Sequence, residues 1–353
     1  MNIKKITAAL LAILTLFGVC SVGAVAIGSG YASIQENIYF SEISFREGIG
    51  PETEGYSIDY VYMSPAVQGD TTKYPLVIWL HGIGNGSKPT AQLSACDIEA
   101  WGTYELQRRF KDSGGAFIFV PRSLEEKGLY WADSLIYPLR AAIDDFIKQN
   151  KANIDISRIY VGGYSMGGKM ALKMAVAYPE MFAAVFPVCP AWVPNKDGAA
   201  KIADMPMWLT SGRPDPTVNY YAMVMPVWEN VISQSNVPEK CRFSTLSKVT
   251  YPDGTKTYSA HLSWYSVNYD MFSSEDGAYP YMTTVDGNGN TVTLTYPDGM
   301  ISWLSGLKSD YDGSAATDGG NKEAREGSSI LNIFVAIINF FKNIFLYHFK
   351  GLK

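Results

Sequence analysis

Histidine, which serves as general base and as metal ligand, is scarce in this chain. It occurs three times among 353 residues: His81, His261 and His348. Cysteine is almost as rare, with four copies, and none of them lies in a Cys-x-x-Cys or Cys/His spacing. Structural zinc sites use such spacings. The sequence therefore predicts no metal site and no cofactor.

The few cysteines also limit the disulfides. Cys20 lies in an N-terminal apolar segment, which leaves Cys96, Cys189 and Cys241 in the rest of the chain. An odd number allows at most one disulfide and leaves one free thiol. Cys189 lies in the apolar run A-V-F-P-V-C-P-A and is interpreted as a small buried hydrophobic residue. We expect a fold that does not depend on disulfides.

A large charge of one sign is also lacking. The chain has 29 basic and 34 acidic residues, a net charge of -5, and its central part contains no run of Lys and Arg. Nucleic-acid binding needs a basic surface, so we predict no nucleic-acid partner. The composition, 47% hydrophobic and 18% charged, is typical of a globular protein. The length suits one large domain with appendages.

Both ends of the chain carry apolar segments. In residues 1–30, two lysines precede a long apolar run, and Ala24-Val25-Ala26 forms a small-x-small cleavage pattern. This pattern predicts a signal peptide, with an uncleaved anchor as the alternative. We therefore expect a secreted or extracytoplasmic protein.

The C-terminal end predicts a linker followed by a helix. Residues 312–329 are polar and read as a flexible linker. Residues 330–353 are rich in Ile, Phe and Leu, with asparagines gathered on one helical face. An amphipathic helix of this kind associates with a membrane surface through residues 330–349. The alternative is a helix that packs on the domain or self-associates.

Between these segments, residues 33–311 predict one domain. Continuous apolar runs are typical of strands buried on both faces, and they occur at 74–80, 116–120, 182–188 and 205–210. Helical periodicity occurs at 136–148 and 220–233. Half-exposed antiparallel strands are predicted at 40–45 and 56–62, and the last core strand at 242–249. Strands that alternate with helices predict an α/β fold, with a mostly parallel central sheet and helices on both faces.

The region at about 267–300 departs from that alternation. Asp286-Gly287-Asn288-Gly289-Asn290, between Val and a Thr-rich run, is a hairpin signal. We therefore predict a β-hairpin insertion there, followed by a short closing helix at 300–307.

The stretch from Arg158 to Gly168 reads R-I-Y-V-G-G-Y-S-M-G-G and precedes the helix-forming run K-M-A-L-K-M-A-V-A. This order predicts a strand, a sharp turn and a helix, with Ser165 at the turn. The pattern G-x-S-x-G at 163–167 fits the nucleophile elbow of the α/β-hydrolases. Its glycines are required because strand and helix approach too closely for a Cβ.

A serine nucleophile needs a base, and the base needs a carboxylate that orients it. In this fold the chain order is serine, acid, histidine. His81 precedes Ser165, and His348 belongs to the C-terminal segment. By elimination, the predicted base is His261, in the stretch S-A-H-L-S-W.

The acid is expected in the loop after the strand at 205–210. That loop reads S-G-R-P-D-P-T-V, and its one carboxylate is Asp215, with a proline on each side. A rigid loop at the carboxyl edge of the sheet suits a residue that fixes an imidazole tautomer. The alternative is that Asp215 is the N-cap of the following helix.

Two backbone N–H groups are expected to bind the oxyanion. One is that of Met166, directly after the serine. The other belongs to Ile83, or alternatively Gly84, in the glycine-rich loop after the strand at 74–80. We expect His81 to brace that loop rather than to act in catalysis.

Together, these stretches resemble the secreted esterases of the α/β-hydrolase superfamily, the group of feruloyl and acetylxylan esterases, polyhydroxyalkanoate depolymerases and "predicted peptidase" relatives. The matching stretches cover roughly residues 55–266 and read Y-P-L-V-I-W-L-H-G, I-D-I-S-R-I-Y-V-G-G-Y-S-M-G-G, Y-P-E-M-F-A-A-V-F-P-V-C, S-G-R-P-D-P-T-V and A-H-L-S-W. The resemblance implies Ser165 as nucleophile, Asp215 as acid and His261 as base. Two features depart from it: the long region between His261 and Met300, and the hydrophobic C-terminal segment.

The sequence thus predicts a serine carboxylic ester hydrolase that acts through an acyl-enzyme, on small or polymer-linked esters of carbohydrate or phenolic acids. Four aromatic residues near the carboxyl edge either stack on such substrates or pack in the core: Tyr130, Trp131, Trp192 and Trp264. One alternative function is a serine peptidase with the same triad. The other is a catalytically silent surface-binding protein on the same scaffold.

Overall fold

The computed structural model describes residues 45–88, 98–250, 256–274 and 277–313. The predicted N-terminal leader, the strand at 40–45 apart from Phe45, and the segment from 314 onward lie outside the described residues. The described part contains a nine-stranded, mostly parallel sheet with helices, the α/β-hydrolase architecture that the sequence predicts.

The strands are β1 Arg46–Ile49, β2 Asp59–Met63, β3 Tyr74–Leu80, β4 Phe117–Pro121, β5 Ile154–Tyr164, β6 Ala184–Val188, β7 Trp208–Gly212, β8 Arg242–Leu246, β9 Val249–Thr250, β10 Thr257–Tyr258, β11 Ser273–Ser274, β12 Gly277–Ala278 and β13 Met282–Asp286. The central sheet has the order β1-β2-β4-β3-β5-β6-β7-β8-β13. The strands from β3 to β8 are parallel, and the two edges are antiparallel.

The α-helices are α1 Tyr104–Gln107, α2 Ile136–Gln149, α3 Met166–Ala177, α4 Lys196–Lys201, α5 Met225–Ile232, α6 Trp264–Asn268 and α7 Met300–Ser305. A π-helical turn, Tyr220–Val224, leads into α5. Short 3-10 turns lie at Glu99–Gly102, Glu125–Lys127, Asp133–Leu135, Pro238–Lys240 and Ala260–Leu262.

The strand order reverses at β3. From β3 the chain moves to β4 on one side, and it then crosses back to β5 on the other side. Right-handed crossovers place the connections on opposite faces when the direction reverses, so α1 lies on one face and α2 to α5 on the other. The loops after β3 and β5 diverge at this point, which is where ligands bind in open α/β sheets.

The centre of the sheet is buried because its strands carry apolar residues on both faces. Every residue of β3 is buried, since β3 lies inside the sheet between β4 and β5 and both faces of the sheet are covered by other elements. The aromatic rings of Trp79 and Phe186 stack with centroids 5.8 Å apart, and Phe186 stacks in turn on Trp101. These stacked rings form the part of the core that supports the carboxyl ends of β3 and β5.

The prediction that residues 242–249 form the last core strand was wrong. The strand β13, from the region interpreted as an insertion, pairs antiparallel with β8 and extends the sheet by one strand. The predicted turn is present, with Asp286 N–H donating to Asn290 O at 2.9 Å. Its second arm is reduced to the single bridge between Val285 and Thr291. The hairpin signal predicted that β13 would pair within a separate β-hairpin. It pairs instead with the free edge of β8.

Cys189 and Cys241 are buried free thiols, whereas Cys96 lies outside the described residues. Among the helices of the described ranges, none has the length and apolar content that a membrane crossing requires.

Candidate active site

The turn between β5 and α3 places Ser165 in a strained backbone conformation, with φ 56° and ψ −116°. Residues with a Cβ rarely adopt such a φ, and this backbone conformation costs about 1–3 kcal/mol. The Ser165 N–H donates to Val188 O at 3.0 Å, and Ala191 N–H donates to Ser165 O at 3.1 Å. The strand β6 and the residues after it therefore hold the elbow in place.

The glycines of the elbow lie against the end of β3. A Cβ on Gly167 would lie 2.5 Å from His81 O and closer still to the carbonyl of Leu80. A Cβ on Gly163 would collide with the same Leu80 carbonyl and with the backbone of Gly167. No side chain fits at either position, which is the requirement that the sequence pattern predicted.

Asp215 and His261 meet on the adjacent loops. His261 Nδ1 lies 2.9 Å from Asp215 Oδ2, although the two residues are 46 positions apart in the sequence. The other carboxylate oxygen, Oδ1, accepts the N–H groups of Thr217 at 2.7 Å and Val218 at 2.9 Å. The alternative that Asp215 is the N-cap of the following helix was wrong, because Asn219 caps that helical turn and its Oδ1 accepts the Ala222 N–H at 2.8 Å. One Asp215 oxygen instead holds the loop before that turn, and the other faces the imidazole.

Burial strengthens this pair. The Asp215 side chain is fully buried, and the His261 side chain is 15% exposed. Burial alone lowers the pKa of His261, but the neighbouring Cys189 sulfur and the hydrogen bond with Asp215 outweigh it and raise the pKa from 6.5 to about 10. These contacts stabilise the imidazolium that forms when a base at this position takes up a proton.

Cys189 links the serine elbow to the histidine. It follows Val188, whose carbonyl accepts the Ser165 N–H, and its Sγ donates to His261 O at 3.5 Å. Within the described residues, no hydrogen bond joins the Ser165 hydroxyl to His261. Such bonds are often long before a substrate binds.

The two predicted oxyanion donors lie on the two diverging loops. Met166 is the first residue of α3, so its N–H has no partner within the helix. The Gly84 N–H donates to both oxygens of Glu125, at 2.9 and 3.0 Å. The Gly84 N–H is therefore already hydrogen-bonded. This leaves the N–H of Ile83, a 39% exposed residue, as the candidate oxyanion donor of this loop.

Glu125 supports the loop after β3, and sequence reasoning missed it. Besides Gly84, the backbone N–H groups of Gly86 and Ser87 point to its carboxylate. Burial raises the pKa of Glu125, and these backbone hydrogen bonds offset part of that rise. The available signal was topological: Glu125 follows β4, which is the neighbour of β3 in the sheet.

His81 braces the same loop. It is fully buried, its Nδ1 lies 2.7 Å from Gly82 O, and its Nε2 accepts the Ser123 N–H at 3.0 Å. The carbonyl contact requires the proton on Nδ1, so the ring is neutral. Burial lowers the pKa of His81 to about 4. These contacts agree with the bracing role that the sequence predicted.

Two of the four predicted aromatic residues are packed in the core. Trp131 is 1% exposed and its Nε1 donates to His81 O at 2.8 Å. Trp264 is 7% exposed and packs between Tyr164 and Tyr265. The others are half-buried: the ammonium of Lys173 lies 4.7 Å from the ring of Trp192, and Tyr130 has a positive φ.

Comparison with known proteins agrees with this architecture. Residues 133–252, about a third of the chain, match the model of the Phospholipase/Carboxylesterase family. The matched segment contains Ser165 and Asp215 and ends before His261. The search of the curated proteins found no match.

Among the solved structures, one similar chain is described as a thermostable esterase. It has 24% sequence identity and a TM-score of 0.51, and the match covers 64% of this chain and 60% of that one. At this identity the similarity shows the fold alone, and the match spans about three fifths of the esterase's length.

Two further structures are more distant, and their TM-scores are too low to support an argument. A predicted CIB-like hydrolase from Thermoplasma acidophilum has 18% identity and a TM-score of 0.37, with 58% of this chain and 87% of that chain covered. An acylaminoacyl peptidase from Pyrococcus horikoshii has 14% identity and a TM-score of 0.39, with 56% and 36% covered. The α/β-hydrolase fold of this chain and the match of residues 133–252 to that family thus agree with each other.

Proposed function

We propose that this chain is a serine carboxylic ester hydrolase that works through an acyl-enzyme intermediate. The observation that carries the proposal is the Asp215–His261 pair, joined at 2.9 Å, which Cys189 and Val188 connect to the backbone of a serine strained at φ 56°. Acyl transfer needs a positioned serine, a base and an acid that orients the base. The match to the Phospholipase/Carboxylesterase family supports an ester as the substrate.

In this mechanism Ser165 Oγ attacks the ester carbonyl carbon while His261 Nε2 takes the hydroxyl proton. His261 then gives that proton to the leaving alcohol, and the acyl group stays on Ser165. A water molecule attacks the acyl-enzyme, and its proton passes through His261 to Ser165. Throughout, Asp215 accepts the Nδ1–H bond, which keeps the Nε2 lone pair available to the reaction.

The backbone N–H groups of Met166 and Ile83 bind the oxygen that becomes negative in each tetrahedral intermediate. Loss of one such donor typically costs about 3 kcal/mol of barrier stabilisation. Met166 is supported by its place as the first residue of α3. Ile83 is supported by the engagement of the neighbouring Gly84 N–H with Glu125.

For the substrate class we propose feruloyl-like esters, in which the acid is a phenolic acid or is joined to a carbohydrate. A series of stacked rings supports this class. Tyr164, next to Ser165, packs on Trp264 at 5.2 Å, Trp264 stacks on Tyr265 at 4.2 Å, and Tyr265 stacks on Tyr258 at 4.8 Å. Tyr258 and Tyr265 are partly exposed. Because Tyr265 is stacked on both faces, a phenolic ring would contact it at its edge, and edge-to-face contact is one of the favoured geometries of aromatic pairs.

For localisation we propose an extracytoplasmic enzyme whose C-terminal segment, 330–349, associates with a membrane surface. The support is the sequence pattern of residues 1–30 and 330–353, which lie outside the described residues. Flotation of the full chain with anionic vesicles tests the second point. A chain without residues 330–353 should no longer float, and equal flotation of both chains would contradict it.

The enzymatic proposal is tested with the full chain and its Ser165→Ala variant. Hydrolysis of p-nitrophenyl acetate and butyrate, methyl ferulate and a peptide anilide is compared under the same conditions. We expect ester turnover that exceeds amide turnover and falls at least about 1000-fold in Ser165→Ala, because the nucleophile is lost. A Ser233→Ala variant is the matched control, since its exposed hydroxyl donates to Asn230 O at 3.3 Å, away from the proposed site.

Three outcomes would change the proposal. Amide turnover equal to ester turnover would favour the peptidase. Unchanged ester turnover in Ser165→Ala would remove the serine from the mechanism. No turnover of any substrate would favour a surface-binding protein on this scaffold.

A further inference from the structure

Three side chains with different metal-binding atoms converge beside the proposed base. The Sγ of Cys189, a carboxylate oxygen of Asp215 and a ring nitrogen of His261 all lie within 4.8 Å of one another. They come from the ends of β6 and β7 and from the turn before α6, far apart in the sequence. Spacing rules for metal sites therefore gave no sign of this cluster.

The backbone fixes Cys189 in this cluster. Its φ is 35°, a conformation that residues with a Cβ rarely adopt. Its N–H donates to Thr210 O at 2.8 Å, and its Sγ contacts His261 O at 3.5 Å. The end of β7 also packs on the turn that carries the histidine, because a Cβ on Gly212 would lie 2.7 Å from the Cβ of Ala260. The three ligand atoms thus belong to one closely packed unit.

Thiolate, imidazole and carboxylate together suit a thiophilic divalent cation. Zinc binds sulfur at about 2.3 Å and nitrogen or oxygen at about 2.0–2.2 Å, often with three protein ligands and one open position. Magnesium and calcium prefer oxygen ligands only. Contraction of the ligand atoms toward a shared ion by about 1 Å would bring the cluster to zinc distances.

We propose that Cys189, Asp215 and His261 form an inhibitory site for a thiophilic divalent cation such as Zn²⁺ or Cd²⁺. The cation binds Sγ as thiolate, and the thiol proton leaves to solvent. It also takes the lone pair of Nδ1, the ring nitrogen that lies 2.9 Å from Asp215, and the Nδ1 proton moves to Nε2. The imidazole then has no free lone pair with which to accept the proton of Ser165.

The inhibition rests on the proposed function, whereas the binding of the cation does not. Binding is therefore measured first, by titration of the full chain with Cd²⁺ and observation of the ultraviolet thiolate-to-metal charge-transfer band. We expect one Cd²⁺ per chain at this site and loss of its band in Cys189→Ser, since a hydroxyl is a poor ligand for this ion. Cys241→Ser, which alters another buried free thiol, should keep the band.

Activity is measured in the same titration, with each variant compared to its own metal-free rate. We expect Cd²⁺ and Zn²⁺ to inhibit ester turnover, a chelator to restore it, and the inhibitory concentration to rise at least about tenfold in Cys189→Ser. In Cys241→Ser the inhibition should match that of the unaltered chain.

Absence of the band from the unaltered chain would overturn the site, as would a Cys189→Ser variant that keeps both the band and the inhibition. A Cys189-dependent band in a chain without ester turnover would support the site and reject the proposed function. Normal ester turnover without a band would support the proposed function and reject the cation site.

Discussion

Two glycine-rich turns meet where the strand order of the sheet reverses, and different interactions hold them in place. The elbow, residues 163–168, is fixed by backbone contacts, since Gly163 and Gly167 lie directly against the carbonyls at the end of β3. The β3 loop, residues 81–88, is held from the side by Glu125 and by His81 with its partner Ser123. Nothing lies within 4 Å of the position that a Cβ on Gly84 would occupy.

This difference explains which turn can be recognised in a sequence. The elbow is specified locally, because its own residues provide the strand, the helix and the glycines that permit their close approach. The β3 loop depends on a carboxylate 41 residues further along the chain. We infer that the elbow is rigid because of its own backbone contacts. The conformation of the β3 loop, in contrast, can be changed by single side-chain substitutions elsewhere in the chain.

The largest effect is expected from Gly167→Ala. The new methyl group would meet backbone atoms of Leu80 and His81, which cannot move aside as a flexible side chain can. We expect the free energy of unfolding, measured by urea denaturation, to fall by about 3 kcal/mol or more.

The control for Gly167→Ala is Gly84→Ala in the β3 loop. Its site has space, so the cost is limited to the positive φ of 92°, about 1–2 kcal/mol. Equal losses in the two variants would contradict the proposed difference between the turns.

The second effect concerns Glu125. Glu125→Ala removes the acceptor of the Gly84 N–H and frees the β3 loop that carries Ile83. We expect kcat for the ester substrates to fall about 10- to 100-fold with little change in KM, because oxyanion binding acts in the transition state. Glu125→Gln keeps an acceptor oxygen and should lose less. A rise in KM at constant kcat would instead indicate a role in substrate binding.

The effect that is smallest at each step of the measurement is a dependence of stability on pH, at most about 1.4 kcal/mol per pH unit. His81 has a pKa lowered to about 4 in the folded chain, against 6.5 ordinarily. Between these values the unfolded chain binds more protons, so the free energy of unfolding should fall as the pH falls from 6.5 to 4, by up to about 3 kcal/mol. Urea denaturation of His81→Gln should lack this contribution.

His261→Gln is the control for the pH series. The pKa of His261 is raised to about 10, so the residue is protonated in both states below pH 6.5. It contributes stability there that is lost as the pH rises toward 10, and its replacement should leave the acid slope unchanged. The same acid slope in His81→Gln and the unaltered chain would mean that the slope comes from other groups.

Local patterns predicted much of the fold. The apolar run at 74–80 matches β3, and the periodicity at 136–148 matches α2 to within one residue. These elements are specified by their own side chains, through continuous burial in one and a single apolar face in the other. The order of strands and helices was enough to identify the parallel sheet.

Contacts between distant segments could not be predicted in the same way. The pairing of β13 with β8 depends on a free sheet edge, and the hairpin signal carries no information about it. The turn before α5 is π-helical, next to Pro226, which has no N–H to donate. The position of Cys189 beside His261 follows from the packing of the ends of β6 and β7 against the turn before α6.

The proposal that Ser165 is the nucleophile of a serine hydrolase is tested most directly by covalent labelling. The full chain is treated with a fluorophosphonate, and the modified peptide is identified by mass spectrometry. We predict one adduct, on Ser165, which is absent from Ser165→Ala and forms at least about 100-fold more slowly in Asp215→Asn, because the imidazole is no longer oriented. An adduct on another residue, or labelling at the same rate in Asp215→Asn, would contradict the proposed triad.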